Sequence, residues 1–108
     1  RWLNNFEELK DVNEFTLIYG SILHSPKEAN DIDILDVVSN KKDFLKLEKI
    51  VRKIQKTQIK KIHSENFTKE EFREEIKKPN KIFIDAIKKG IILFGQEKFI
   101  KFVRDIQK

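Results

Sequence analysis

Between Ile18 and Val38 the chain reads IYGSILHSPKEANDIDILDVV. A Gly20–Ser21 pair ends one apolar run, and two aspartates, Asp31 and Asp33, stand inside the next. A glycine at a strand end lets the backbone approach a phosphate closely, and the serine after it offers an N–H and a hydroxyl to the same oxygens. Side chains alternate along an extended strand, so Asp31 and Asp33 project from one face, about 6.5 to 7 Å apart along the backbone. Carboxylates so placed suit hard divalent cations such as Mg²⁺, which take oxygen ligands and complete their shells with substrate phosphates and water. Two such ions about 4 Å apart stabilise the attacking and leaving oxygens of an in-line phosphoryl displacement. The chemistry these residue types suit is phosphoryl transfer by positioning and charge neutralisation.

Gly-Ser alone, or Asp-x-Asp alone, is a common chance pairing. Together they carry more, because carboxylates inside an apolar strand are costly to bury without a cation or strong donors. The nine residues between Ser21 and Asp31 suffice for a turn or short helix that returns the chain to a neighbouring strand. Asp36 falls on the opposite strand face and reads as structural, or as the partner of a helix start. His24, beside the Gly-Ser turn, is a conceivable general base. His24 and His63 are too far apart in sequence to suggest a zinc site, and there is no cysteine to join them. Lys60 and Lys61 are ordinarily solvated residues, either of which could neutralise a triphosphate.

The elements that must position these residues alternate along the chain. Trp2, Phe6 and Leu9 fall at helical spacing, and EFTLIYG reads as a buried strand ended by glycine. DIDILDVVS is a second strand. KKDFLKLEKIVRKIQK places Phe44, Leu47, Ile50, Val51 and Ile54 on one helical face, with lysines mostly elsewhere. TQIKKIH reads as a third strand. Thr68 and Glu71 then have capping-box spacing, Pro79 suits the first turn of another helix, and Gly90 ends that helix before the apolar run IILFG. A last amphipathic helix carries Phe99, Val103 and Ile106. The sum is an α/β (α+β) domain with a small sheet of about four strands covered by helices on at least one face.

At 108 residues the chain is expected to form one domain that buries roughly two-thirds of its unfolded surface. There are no cysteines, hence no disulfides and no thiolate metal site. No apolar run approaches the ~20 residues needed to span a bilayer, and the acidic start is unlike a signal peptide, so a cytoplasmic domain is expected. The start at Arg1 and the lack of methionine suggest a piece of a longer chain. Net charge is +5, but residues 1–40 hold three basic and eight acidic side chains, and 41–108 hold twenty and ten. The Asp pair thus sits in an acidic segment on a basic background, and such a field attracts polyanions.

The pattern hydrophobic-Gly-Ser, a gap of about ten, then Asp-hydrophobic-Asp-hydrophobic, here LIYGS followed by NDIDIL, resembles the DNA polymerase β nucleotidyltransferase superfamily, in particular its minimal prokaryotic and archaeal members. The stretch HSENFTKEEFREEIKKPNKIFIDAIKKGIILFGQEKF is similar to the tail of small nucleotidyltransferase domains often fused to a winged-helix module. The resemblance implies a palm-like mixed sheet, with Gly20 and Ser21 holding the β- and γ-phosphates of an NTP, ATP foremost, and Asp31 and Asp33 ligating Mg²⁺. It implies transfer of a nucleoside monophosphate to an acceptor hydroxyl with release of pyrophosphate. Two departures stand out. Where many members carry an Arg-Gly pair, this chain has His24 and Ser25, and the third carboxylate usual on a neighbouring strand has only Glu65 as a nearby substitute. The alternative is therefore a catalytically weak or inactive regulatory domain, antitoxin-like, that senses nucleotide or works through protein partners or further copies of itself.

Overall fold

The two runs that carry the Gly-Ser turn and the aspartates pair with each other at the centre of the fold. In the computed structural model, which describes residues 2–106 apart from the side chain of Trp2, these runs are β1 (Phe15–Tyr19) and β2 (Asp31–Val38). A core place for Trp2, which its helical spacing with Phe6 and Leu9 suggests, therefore lies outside the described residues. A 3-10 helix, Trp2–Asp11, precedes β1, and a short 3-10 turn, Ser21–Leu23, follows it. After β2 come α1 (Phe44–Gln55), β3 (Lys61–Thr68), α2 (Lys69–Lys77), α3 (Lys81–Lys89), β4 (Ile91–Phe94) and α4 (Gln96–Ile106). The sheet is mixed, in the order β3-β2-β1-β4. β1 is antiparallel to β2 and β4, and β3 runs parallel to β2 after the α1 crossover that parallel pairing requires.

Helices cover both faces of the sheet. On one, Phe6 and Leu9 of the N-terminal helix and Leu47, Ile50 and Ile54 of α1 pack on Ile18, Ile32 and Ile34. On the other, Phe72 of α2 and Phe102 of α4 meet Phe15, Leu17, Leu35 and Val37. Phe72 lies edge-on to Phe15 with centroids 5.6 Å apart, the offset geometry aromatic quadrupoles favour. Thr68 and Glu71 form the expected reciprocal capping box at the start of α2. Asn80, rather than Pro79, caps α3: its side chain accepts from the Phe83 N–H, and Pro79 stands outside the helix. Gly95 turns the chain from β4 into α4 at φ +79°, against Glu14 and Phe15, where a Cβ would collide with backbone.

The third strand begins four residues later than the apolar pattern suggests. Residues 57–60 continue the turn off α1, with Thr57 Oγ1 donating to the Ile54 carbonyl at 2.7 Å. Gln55 pins the strand start by donating to the Lys60 carbonyl and accepting from the Ile62 N–H. The inward positions beyond Ile62 are Ser64, Asn66 and Thr68, so hydrophobic alternation fades while the strand continues. What sustains it there is a polar network around Asp36, which is fully buried on the face opposite Asp31 and Asp33. Asn13 Nδ2 (2.6 Å), Thr16 Oγ1 (3.0 Å) and Ser64 Oγ (2.7 Å) surround its carboxyl. Asp36 is structural, as its position implies, but it tethers strands rather than starting a helix. Burial pushes its pKa up to about 6, against the lowering effect of those hydrogen bonds.

Candidate functional site

Antiparallel pairing of β1 and β2 sets Tyr19 opposite Asp33, so the turn that follows Tyr19 lands beside the Asp pair. Gly20 adopts φ +83° and ψ −163°, a region essentially closed to residues with a Cβ. A Cβ built there would fall 2.6 Å from Asp33 Oδ2. The glycine thus leaves room for the carboxylate against the turn, and the two motifs, separated in sequence, share one corner of the molecule. Ser21 follows at once, exposed, and opens the 3-10 turn that buries Ile22.

Asp31 and Asp33 are half-buried while Ile32 and Ile34 between and beyond them are buried, as strand alternation requires. Both project on the α2–α3–α4 side, near the sheet's edge strand β3. Burial raises the Asp33 pKa, His63 opposes the rise, and the charge of Asp31 adds to it. That Coulombic coupling marks the two carboxylates as neighbours in one field. Lys61 stands opposite Asp31 in the β2–β3 register.

Sequence reasoning weighed His63 only as a zinc partner of His24 and missed its place beside Asp33. His63 stands opposite Asp33 across the parallel pair, with Nδ1 3.5 Å from Asp33 Oδ1, and its ring is largely exposed. The expected strand TQIKKIH already included it, but only the β2–β3 register, carried on through Ser64 and Asn66, sets it opposite Asp33. The same continuation puts Glu65 inside β3 rather than after it. Glu65 lies opposite Leu35, on the face of Asp33 but one same-face step beyond His63. Of the other candidates, Lys60 Nζ donates to the Ala29 carbonyl in the loop before β2. His24 closes the 3-10 turn through its backbone N–H to the Ser21 carbonyl, with its side chain exposed.

A groove of about 390 Å³ lies on the same face of the sheet, lined by Tyr19, Leu35, Glu65, Phe67, Asn80 and Phe83 among others. Burial, then the charges of Glu65, Asp33 and Asp36, pushes the Tyr19 phenol up to about 12, so it stays a neutral donor at physiological pH. Among the described residues no three acidic or histidine side chains converge closely enough to cage a metal ion. The donor set is nonetheless of the kind that suits Mg²⁺ bound through one or two carboxylates plus substrate phosphates, and the space left at Gly20 seats Asp33 Oδ2 against the turn.

A four-stranded mixed sheet bearing a Gly-Ser turn against an Asp-x-Asp strand is a nucleotidyltransferase-like fold. The chain is similar to one chain of a toxin–antitoxin complex determined with AMP-PNP, at 15% identity and a TM-score of 0.64, over 96% of this chain and 82% of that one. It is similar to a chain of the MntA-HpeT toxin–antitoxin with two aspartates, two residues apart, changed to glutamate (14% identity, TM-score 0.62, 96% and 82% covered). A third similar structure is a tri-AMPylated HEPN toxin of Shewanella oneidensis in complex with its MNT antitoxin (14%, TM-score 0.59, 97% and 80%). No protein-family model and no curated protein matches the sequence. No described helix is long and apolar enough to cross a membrane.

Proposed function

We propose that this chain is a nucleotide-binding, antitoxin-like domain that acts through a protein partner. Gly20 and Ser21 receive the phosphates of an NTP, ATP foremost, and Asp31 and Asp33 hold the Mg²⁺ that accompanies it. The observation that carries this reading is the seating of Asp33 Oδ2 against the Gly20 turn, which only a glycine permits. Bound Mg²⁺ would supply neutralisation of the phosphate charge. Lys61, opposite Asp31, adds a cation at the same edge. The likeness to chains of toxin–antitoxin complexes, one of them determined with AMP-PNP, supports both a nucleotide and a protein partner.

A second reading, transfer of a nucleoside monophosphate to a hydroxyl of that partner, is favoured by His63. An acceptor oxygen would attack the α-phosphorus, the bond to the bridging oxygen would break to release pyrophosphate, and His63 is placed beside Asp33 to take the hydroxyl proton. The AMPylated toxin in one similar structure supports it too. Binding is placed ahead of turnover because an imidazole, not a third acid, stands opposite Asp33, and Glu65 lies a step away. Calorimetric titration with ATP, with and without Mg²⁺, followed by an assay for transfer of an α-phosphate label, separates the readings. Mg²⁺-dependent binding without transfer supports the first, transfer supports the second, and absence of binding refutes both.

A further inference from the structure

From Lys41 to Lys61 the chain carries nine basic and two acidic side chains, a net of +7 where the whole chain carries +5. Helical periodicity does not scatter these charges. With Leu47, Ile50 and Ile54 turned to the core, Lys42, Lys46, Lys49, Arg52 and Lys56 all fall on the exposed side of α1 and its leading turn. Successive members are three or four residues apart, hence neighbours about 5–6 Å from one another, along a stripe of about 20 Å. Among the described residues none of these five forms an ion pair, and on this face only Lys53 is bonded, to Glu8 at 2.9 Å. Helix α2 and the start of α4 differ. Lysines of α2 and its C-cap are matched by acids one turn away, as in Lys77–Glu74 and Lys78–Glu75, and Lys69 and Lys98 share Glu14. A lysine-rich composition alone would give the mixed pattern of α2, not an uncompensated row on one helix.

We infer that the exposed face of α1 binds the phosphate backbone of a nucleic acid. A row of flexible point charges at that spacing complements a duplex, which presents one negative charge per about 1.7 Å of axis, and the carboxylates beside it are few: Glu48 on α1 itself and Glu8, which Lys53 neutralises. Because α1 packs on the sheet face opposite Asp31 and Asp33, the surface is separate from the nucleotide site and stands or falls independently of it.

The test is fluorescence anisotropy of labelled 20-base-pair DNA and RNA duplexes of one sequence, titrated with the chain from 50 to 200 mM salt. With five cations engaged, affinity should fall about 500-fold over that range, a slope near −4.5 in log–log terms. Lys46→Glu with Lys49→Glu should flatten the slope by about 2 and weaken binding at 50 mM, whereas Lys88→Glu with Lys89→Glu, an equal charge change on α3, should do neither. Whichever duplex binds more tightly identifies the backbone. Loss of binding to both duplexes, equal damage by the α3 variant, displacement by polyglutamate at matched charge, or tighter binding to anionic vesicles would each overturn the inference.

Discussion

Replacing Asp36 by asparagine should stabilise the protein at neutral pH and leave it little changed in acid. The carboxyl is wholly buried, and burial raises its pKa from the ordinary 3.8 to about 6. The surrounding geometry agrees with a protonated group. Ser64 Oγ lies 2.7 Å from Asp36 Oδ2 and 2.6 Å from Asn66 Oδ1, but a hydroxyl has one proton to give. A proton on Asp36 Oδ2 lets the acid donate to Ser64 and Ser64 donate to Asn66, while Asn13 and Thr16 serve Oδ1. Between pH 3.8 and about 6 the folded state thus binds more protons than the unfolded, so stability falls as pH rises through that window and levels off above it. At 1.36 kcal/mol per pH unit the loss is about 3 kcal/mol, a large part of the 5–15 kcal/mol typical of a domain. The side-chain amide of the Asp36→Asn variant would reproduce the protonated arrangement without the titration. Urea unfolding followed by circular dichroism from pH 3.5 to 8, for both proteins, measures the difference directly. The variant's advantage should grow from near zero to about 3 kcal/mol by pH 7. A difference that does not change with pH, or a variant less stable at pH 7, would refute the reasoning.

Two further perturbations test packing and backbone. Gly20→Ala should cost about 1–3 kcal/mol of stability and, by pushing Asp33 Oδ2 from its seat, weaken Mg²⁺-dependent ATP binding about tenfold or more at temperatures where the variant is folded; unaltered affinity would separate the turn from the site. Phe72→Ala should lower stability by about 3–5 kcal/mol in urea titration, because the ring is fully buried against Phe15, Phe67, Phe83 and Phe102. A loss below about 1 kcal/mol would contradict that packing.

The parts of the fold legible in the sequence are those where one signal dominates. β1 is an apolar run broken only by Thr16, β2 carries apolar residues at every position but its aspartates, α1 has an unbroken apolar stripe, and Thr68 with Glu71 announces α2 by spacing alone. Gly20, Ser21, Asp31 and Asp33 are legible for the same reason, since glycine at a strand end and acids within an apolar strand are each locally anomalous. The start of β3 is not legible, because Ser64, Asn66 and Thr68 face inward and are held by a tertiary network whose other members, Asn13, Thr16 and Asp36, lie far away in sequence. The role of His63 is illegible for a related reason: the residue stands inside the TQIKKIH run, but its place beside Asp33 follows from strand register rather than from any neighbouring residue. The basic row on α1 is half legible: its spacing is in the sequence, but its lack of compensating acids emerges only when the pairs on α2 and α4 are seen.

The central claim, that the Gly-Ser turn and the Asp pair form one nucleotide site, is tested most directly by calorimetric titration of ATP into the wild-type chain and into Asp31→Asn with Asp33→Asn, each with and without Mg²⁺, alongside urea unfolding of both. The account predicts Mg²⁺-dependent binding to the wild type, its loss in the variant, and a fold that persists. Binding of equal strength in both proteins, or binding indifferent to Mg²⁺, would contradict it.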